Sequence, residues 1–136
     1  MTLETKIVAQ KTFEEAGRYM NNATKELKLA DRNGKIYQDV KHMRVACGTA
    51  YLAALKAVDG IFLLREIPKP KRKGSIKYYQ IGLAQIDKKI LTSLNIAYRI
   101  LHIDGYYDGF NDIVTIKRGF EEANNLIKNL RVAIGG

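Results

Sequence analysis

Residues 13–30, FEEAGRYMNNATKELKLA, place apolar side chains at Phe13, Ala16, Met20, Ala23, Leu27 and Ala30, in alternating steps of three and four. About 3.6 residues complete an α-helical turn, so this spacing draws one apolar stripe along a helix, where a strand would need a period of two. Moving outward, the same rhythm returns at Val40, Met43, Cys47, Ala50, Ala54, Ala57 and Ile61. It returns again at Ile76, Tyr79, Leu83, Ile86 and Ile90, and at Phe120, Ala123, Ile127 and Leu130. Four stripes predict an all-α fold, an antiparallel four-helix bundle, with helices over about 3–30, 37–64, 75–102 and 111–131.

The punctuation agrees with that division. Asp31-Arg32-Asn33-Gly34 ends the first helix, because Gly accepts and Asn tolerates the left-handed conformation found at helix ends. Pro68 and Pro70 lack amide donors and restrict the residue before each ring, so residues 66–74 read as a stiff connection. Ser75 can cap the third helix, and Asp108 or Asn111 the fourth. The second helix is rich in small residues: Ala46, Gly48, Ala50, Ala53, Ala54 and Ala57 let another helix approach closely. A second row beside its stripe, Tyr51, Leu55, Val58 and Phe62, widens its apolar face enough to touch two neighbours.

At 136 residues, with 46% hydrophobic and 27% charged side chains, the chain suits a single globular domain over residues 1–136 and excludes wholesale disorder. No uninterrupted apolar run approaches the roughly 18 residues of a bilayer span, and charges interrupt the N-terminus where a signal peptide would be continuously apolar. A cytosolic protein making no membrane contact is the expectation. The lone cysteine, Cys47, cannot pair internally and lies on the apolar stripe, which suits a small buried hydrophobe.

A net charge of +9 is unevenly placed. Arg65, Lys69, Lys71, Arg72, Lys73 and Lys77 crowd residues 65–80 against Glu66 alone, whereas the flanking regions are nearly balanced. Lys69, Lys71, Arg72, Lys73 and Lys77 are therefore candidates for nucleic-acid phosphates, the alternative being a solvated linker. Base stacking is less favoured than backbone contact, since no aromatic interleaves the loop and Tyr78 and Tyr79 only follow it.

Catalytic patterns are sparse. His42, His102 and Cys47 supply no spacing suited to a metal, so no metal or cofactor is expected. Ser75 and Ser93 stand outside any nucleophile-elbow pattern, and no glycine motif would cradle phosphate. The richest polar cluster is Tyr98, Arg99, His102, Asp104, Tyr106, Tyr107 and Asp108. In an α-helix Arg99 and His102, three apart, would share a face, which makes Arg99, His102, Tyr106 and Tyr107 candidate ligand-site residues; a packed turn with wet hydroxyls is the plainer alternative. Asp39, His42 and Arg44 form a related set at the start of the second helix, and are expected at the opposite end of the bundle.

The segment Asp39-Val-Lys-His-Met-Arg-Val-Ala-Cys-Gly-Thr-Ala-Tyr-Leu-Ala-Ala-Leu55, with Gly105-Tyr-Tyr-Asp-Gly-Phe110, resembles a family of small bacterial all-helical proteins of unassigned function. More loosely, the hairpin layout resembles the HEPN and nucleotidyltransferase-partner bundles, which include RNases and inert relatives. HEPN nucleases share an Arg followed by a His after four to six intervening residues. Arg99 and His102 have only two between them, so the resemblance implies a helical partner or RNA-associated module and transfers no functional residue.

The resulting expectation is a non-enzymatic protein acting through protein contacts, as a homodimer or beside a co-encoded partner, with the small-residue face of the second helix available for a two-fold contact. A nucleic-acid binding module using residues 69–77 is the alternative, and a degenerate HEPN-like RNase the third.

Overall fold

The predicted apolar stripes lie on helices in the computed structural model, which describes residues 1–68 and 75–135, although the third is divided. Lys69, Lys71, Arg72 and Lys73 of the basic connection lie outside the described residues; Lys77 lies within them and is exposed. Helix α1 spans Leu3–Lys28, opened by Thr2, whose hydroxyl accepts the Thr5 amide at 3.0 Å. Helix α2, Val40–Leu64, is capped by Asp39, whose carboxylate accepts the His42 amide at 3.1 Å. It ends as Glu66 takes a left-handed conformation (φ +58°) and the Ile67 amide donates to the Phe62 carbonyl at 2.9 Å.

Between α1 and α2 the chain forms a hairpin of two short antiparallel strands, β1 (Arg32–Asn33) and β2 (Ile36–Tyr37). Gly34 (φ +62°) occupies the first central position of its two-residue turn, where a positive φ is needed. The helix-ending role expected of Gly34 falls instead to Asp31, at φ +52°. The hairpin docks on the loop before the last helix: the Tyr37 amide donates to the Asn111 carbonyl at 3.0 Å, and Asn111 Nδ2 returns a bond to the Tyr37 carbonyl at 2.9 Å.

The third rod is not one helix. It comprises α3 (Ile76–Ala84), α4 (Lys88–Ala97) and a π-helical segment (Tyr98–Tyr107) continuous with α4. With α5, Ile113–Gly135, the described residues form five α-helices, which corrects the expected count of four while keeping the all-α class. The break after α3 has a local cause. Asp87 leaves the helical conformation and accepts the Lys89 and Ile90 amides at 2.7 and 3.3 Å, starting a new helix. Ser75 stands at the N-cap of α3 without a side-chain bond, and Asp112, rather than Asp108 or Asn111, accepts the Thr115 amide and hydroxyl at the start of α5.

Helix α2 is the central rod, packed by α1, α5 and the π segment. Ala46, Ala50, Ala53, Ala54, Ala57 and Val58 are wholly shielded from solvent within the chain. The small-residue face expected to serve a two-fold contact is thus used inside the subunit. At Gly60 a Cβ would lie 2.6 Å from Leu130 of α5, so the missing side chain sets how closely those helices approach. By length and mean hydropathy, 1.5 over its best window, α2 could cross a bilayer, contrary to the reading from uninterrupted runs; 61% of that window is buried inside this fold. Near the C-terminal end of α2, Phe62 stacks with Tyr79 at 5.9 Å, and the Tyr78 hydroxyl donates to the Pro68 carbonyl at 2.6 Å, tying α3 to the chain leaving α2.

Leu94 of α4 is fully buried and packs in the common core. Leu94→Ala is expected to lower the unfolding free energy by about 2–5 kcal/mol, the cost of a cavity at a buried leucine. Urea melts showing no loss would remove α4 from the core.

Candidate functional site

A π-helical run closes its turns over five residues rather than four, and such runs usually mark a function or a strained sequence. Here the wider turn decides which side chains meet. Arg99 does not share a face with His102, as an α-helical count of three predicts; it is paired five residues on, Nε lying 3.6 Å from Asp104 Oδ1, with 73% of its side chain exposed. Tyr98, His102 and Tyr106, spaced by four, turn toward α2. The sequence candidates therefore separate: His102 and Tyr106 line a groove, Tyr107 packs edge-on against His102 at 4.9 Å, and Arg99 faces elsewhere.

The start of α2 and the end of the π segment lie together, which corrects the expectation that they sit at opposite ends. Antiparallel succession explains it, because a second rod begins at the level where a third finishes. Arg44 Nη2 donates to the Tyr107 carbonyl at 3.3 Å. Gly105 sits directly on Cys47, where a Cβ would lie 2.6 Å from Sγ and 3.1 Å from the Ile100 carbonyl oxygen. At Gly48 a Cβ would come within 2.9 Å of the Tyr106 ring. His42 belongs to a different contact: Nδ1 is 3.0 Å from Glu26 Oε1 on α1, and Nε2 is 3.8 Å from Asp39.

These close approaches leave an open groove of about 530 Å³ between α2 and the π segment. Its α2 wall is Val45, Gly48, Thr49, Leu52 and Leu55, an i, i+3, i+4, i+7 stripe that was legible in the sequence but was not singled out there. The opposite wall is Tyr98, His102 and Tyr106, with Tyr51 beneath and Ile76 of α3 at one end. Among the described residues, no Lys, Arg, Asp or Glu side chain lines it. His102 is the hub of the rings: it stacks on Tyr51 at 4.7 Å, lies 5.4 Å from Tyr98, and is parallel to Tyr106 within 5° at 6.2 Å.

Burial sets the chemistry of the titratable groups here. It pushes the Cys47 thiol up to about 12, which keeps it protonated and poorly nucleophilic. The Tyr51 hydroxyl is likewise pushed well above its ordinary value by burial. His102 is lowered by burial, favouring the neutral imidazole, while His42 is raised, chiefly by its hydrogen bond to Glu26. Among the described residues, no group of three His, Cys, Asp or Glu side chains could hold a metal ion.

Two measurements test this geometry. Gly105→Ala is expected to destabilise by about 1–3 kcal/mol through overpacking, and Cys47→Ala in the same chain to recover part of that loss; strictly additive losses in a double-mutant cycle would separate the two residues. The histidines work in opposite senses over about pH 5.5–7.5. A raised His42 contributes stability below its unfolded value of about 6.5 that is lost as pH rises through the folded value; a lowered His102 resists protonation, so stability is lost as pH falls below about 6.5. In thermal melts His42→Ala should therefore gain stability with rising pH relative to wild type, and His102→Phe should lose it. Shifts of the same sign in both would refute the assignment.

Two comparisons place the fold among known proteins. A solved protein of unknown function from Dyadobacter fermentans is 36% identical, with the match covering 91% of this chain and 97% of that one at a TM-score of 0.83. No curated protein matches the chain. The family model for a domain of unknown function, DUF5618, matches residues 11–132, and the chain belongs to that family.

Proposed function

We propose that the protein is a non-catalytic binding protein that takes a neutral, ring-bearing, largely apolar molecule into the groove between α2 and the π segment. The carrying observation is the groove itself: about 530 Å³, walled by aliphatic and aromatic side chains, with no charged residue among the described residues that line it. Small-molecule sites commonly fall within about 300–1,000 Å³ and join an apolar lining to a few polar groups. An uncharged lining in a protein of net charge +9 argues against an anionic ligand at this position, because phosphates and carboxylates gather donors or cations around them.

Binding is favoured over catalysis by the state of the reactive groups. The thiol is held protonated, and His102 is ringed by tyrosines with no carboxylate or arginine paired to it among the described residues. A degenerate HEPN-like nuclease would call on Arg99 and His102 together, and the π turn aims them apart. The nucleic-acid reading depends on Lys69, Lys71, Arg72 and Lys73, outside the described residues, and gains only the exposed Lys77.

The neutral fluorescent arylamine N-phenyl-naphthylamine tests the proposal. It should bind wild type with enhanced emission, and Leu52→Asp should weaken binding about tenfold or more by placing a charge on the apolar wall. Leu52 is 53% exposed, so the fold should tolerate the change, and Val114→Asp, on the exposed face of α5, should leave binding unaltered. Absence of binding to wild type, or equal binding to Leu52→Asp, would overturn the proposal.

A further inference from the structure

Within the groove, one wall carries polarity in the plane of a ring. The His102 imidazole is stacked with Tyr51 at 4.7 Å and 27° and runs parallel to Tyr106 at 6.2 Å and 5°, with Tyr98 and Tyr107 also in ring contact with it. It makes no hydrogen bond to any described residue, its residue is only partly buried and lines the groove, and neither nitrogen is a fully buried atom without a partner. The tyrosines bring their hydroxyls at the far tip of each ring, whereas a neutral imidazole offers one donor and one acceptor from the wall itself. Four ring contacts hold the imidazole in place, so little side-chain freedom remains to be lost when it forms a bond.

The geometry points to His102 as a specificity-determining residue that selects ligands whose aromatic ring carries a hydrogen-bonding substituent, such as a phenol or a heteroaromatic N–H, over unsubstituted or alkylated arenes of the same size. This deepens the groove reading and rests on it. The discrimination follows from partial burial: an arene with no polar group would cover the imidazole nitrogens and leave them unpaired, and a phenol would satisfy one of them.

The test compares naphthol with methylnaphthalene, matched in size and both neutral, by ligand-observed NMR titration against wild type, His102→Phe and His102→Gln. Wild type should prefer naphthol about fivefold, the scale of one net hydrogen bond. His102→Phe, which keeps a ring in the stack and has no nitrogens to leave unpaired, should bind methylnaphthalene more tightly than wild type and lose the preference, and His102→Gln should retain a preference through its amide. Equal wild-type affinities, or a preference that survives in His102→Phe, would overturn the inference while the groove reading stands. Failure of both arenes to bind wild type would overturn the groove reading and this inference with it.

Discussion

Burial of α2 is the constraint on which the other elements depend. Its apolar character runs nearly all the way round, so it must be covered on several sides, and in this fold α1, α5 and the π segment share that task. Alanines make close coverage possible by keeping the backbone near its neighbours, and Gly60 admits Leu130 where a methyl group would collide. What remains uncovered is therefore informative. The stripe from Val45 through Leu52 has apolar side chains and an aromatic wall opposite, yet among the described residues no helix lies over it.

The π segment is where the packing of α2 becomes a site. A continued α-helix after Ala97 would carry Arg99 round with His102 and give that face a cation. The wider turn sends Arg99 to Asp104, five residues on, and leaves a row of rings facing α2. Gly105 and Cys47 make that alignment possible, since the segment lies against α2 only because one has no Cβ and the other is small. The same close contact keeps the thiol dry and protonated, so Cys47 serves as packing while the neighbouring rings face the groove.

Periodicity is sufficient for the rods and insufficient for their interruptions. The row Leu83, Ile86, Ile90 runs unbroken across the gap between α3 and α4, because both helices present the same face to the core and a buried row does not register a change of backbone. Asp87 was the available signal, a strong capping residue within an otherwise helical pattern. Asn33-Gly34 likewise marks a turn, but two-residue strands are too short to show alternation. His102, Tyr106 and Tyr107 were legible as a cluster by composition. Their separation from Arg99 was not, since a π turn has no periodicity of its own in ten residues, and the partners on α2 follow only from the antiparallel fold.

No charged residue of the basic stretch is among the described residues that line the groove. Six basic residues fall within residues 65–80 against Glu66 alone, whereas the described residues lining the cavity beside α2 carry no charge. Interactions of exposed lysines with phosphates weaken steeply with salt through counterion release and screening, but transfer of a neutral arene into an apolar groove carries no such dependence and gains slightly from salts that are excluded from the surface. One chain can thus hold two surfaces answering to different forces. A binding event at the basic connection and one at the groove would be told apart by ionic strength alone, without knowing either ligand.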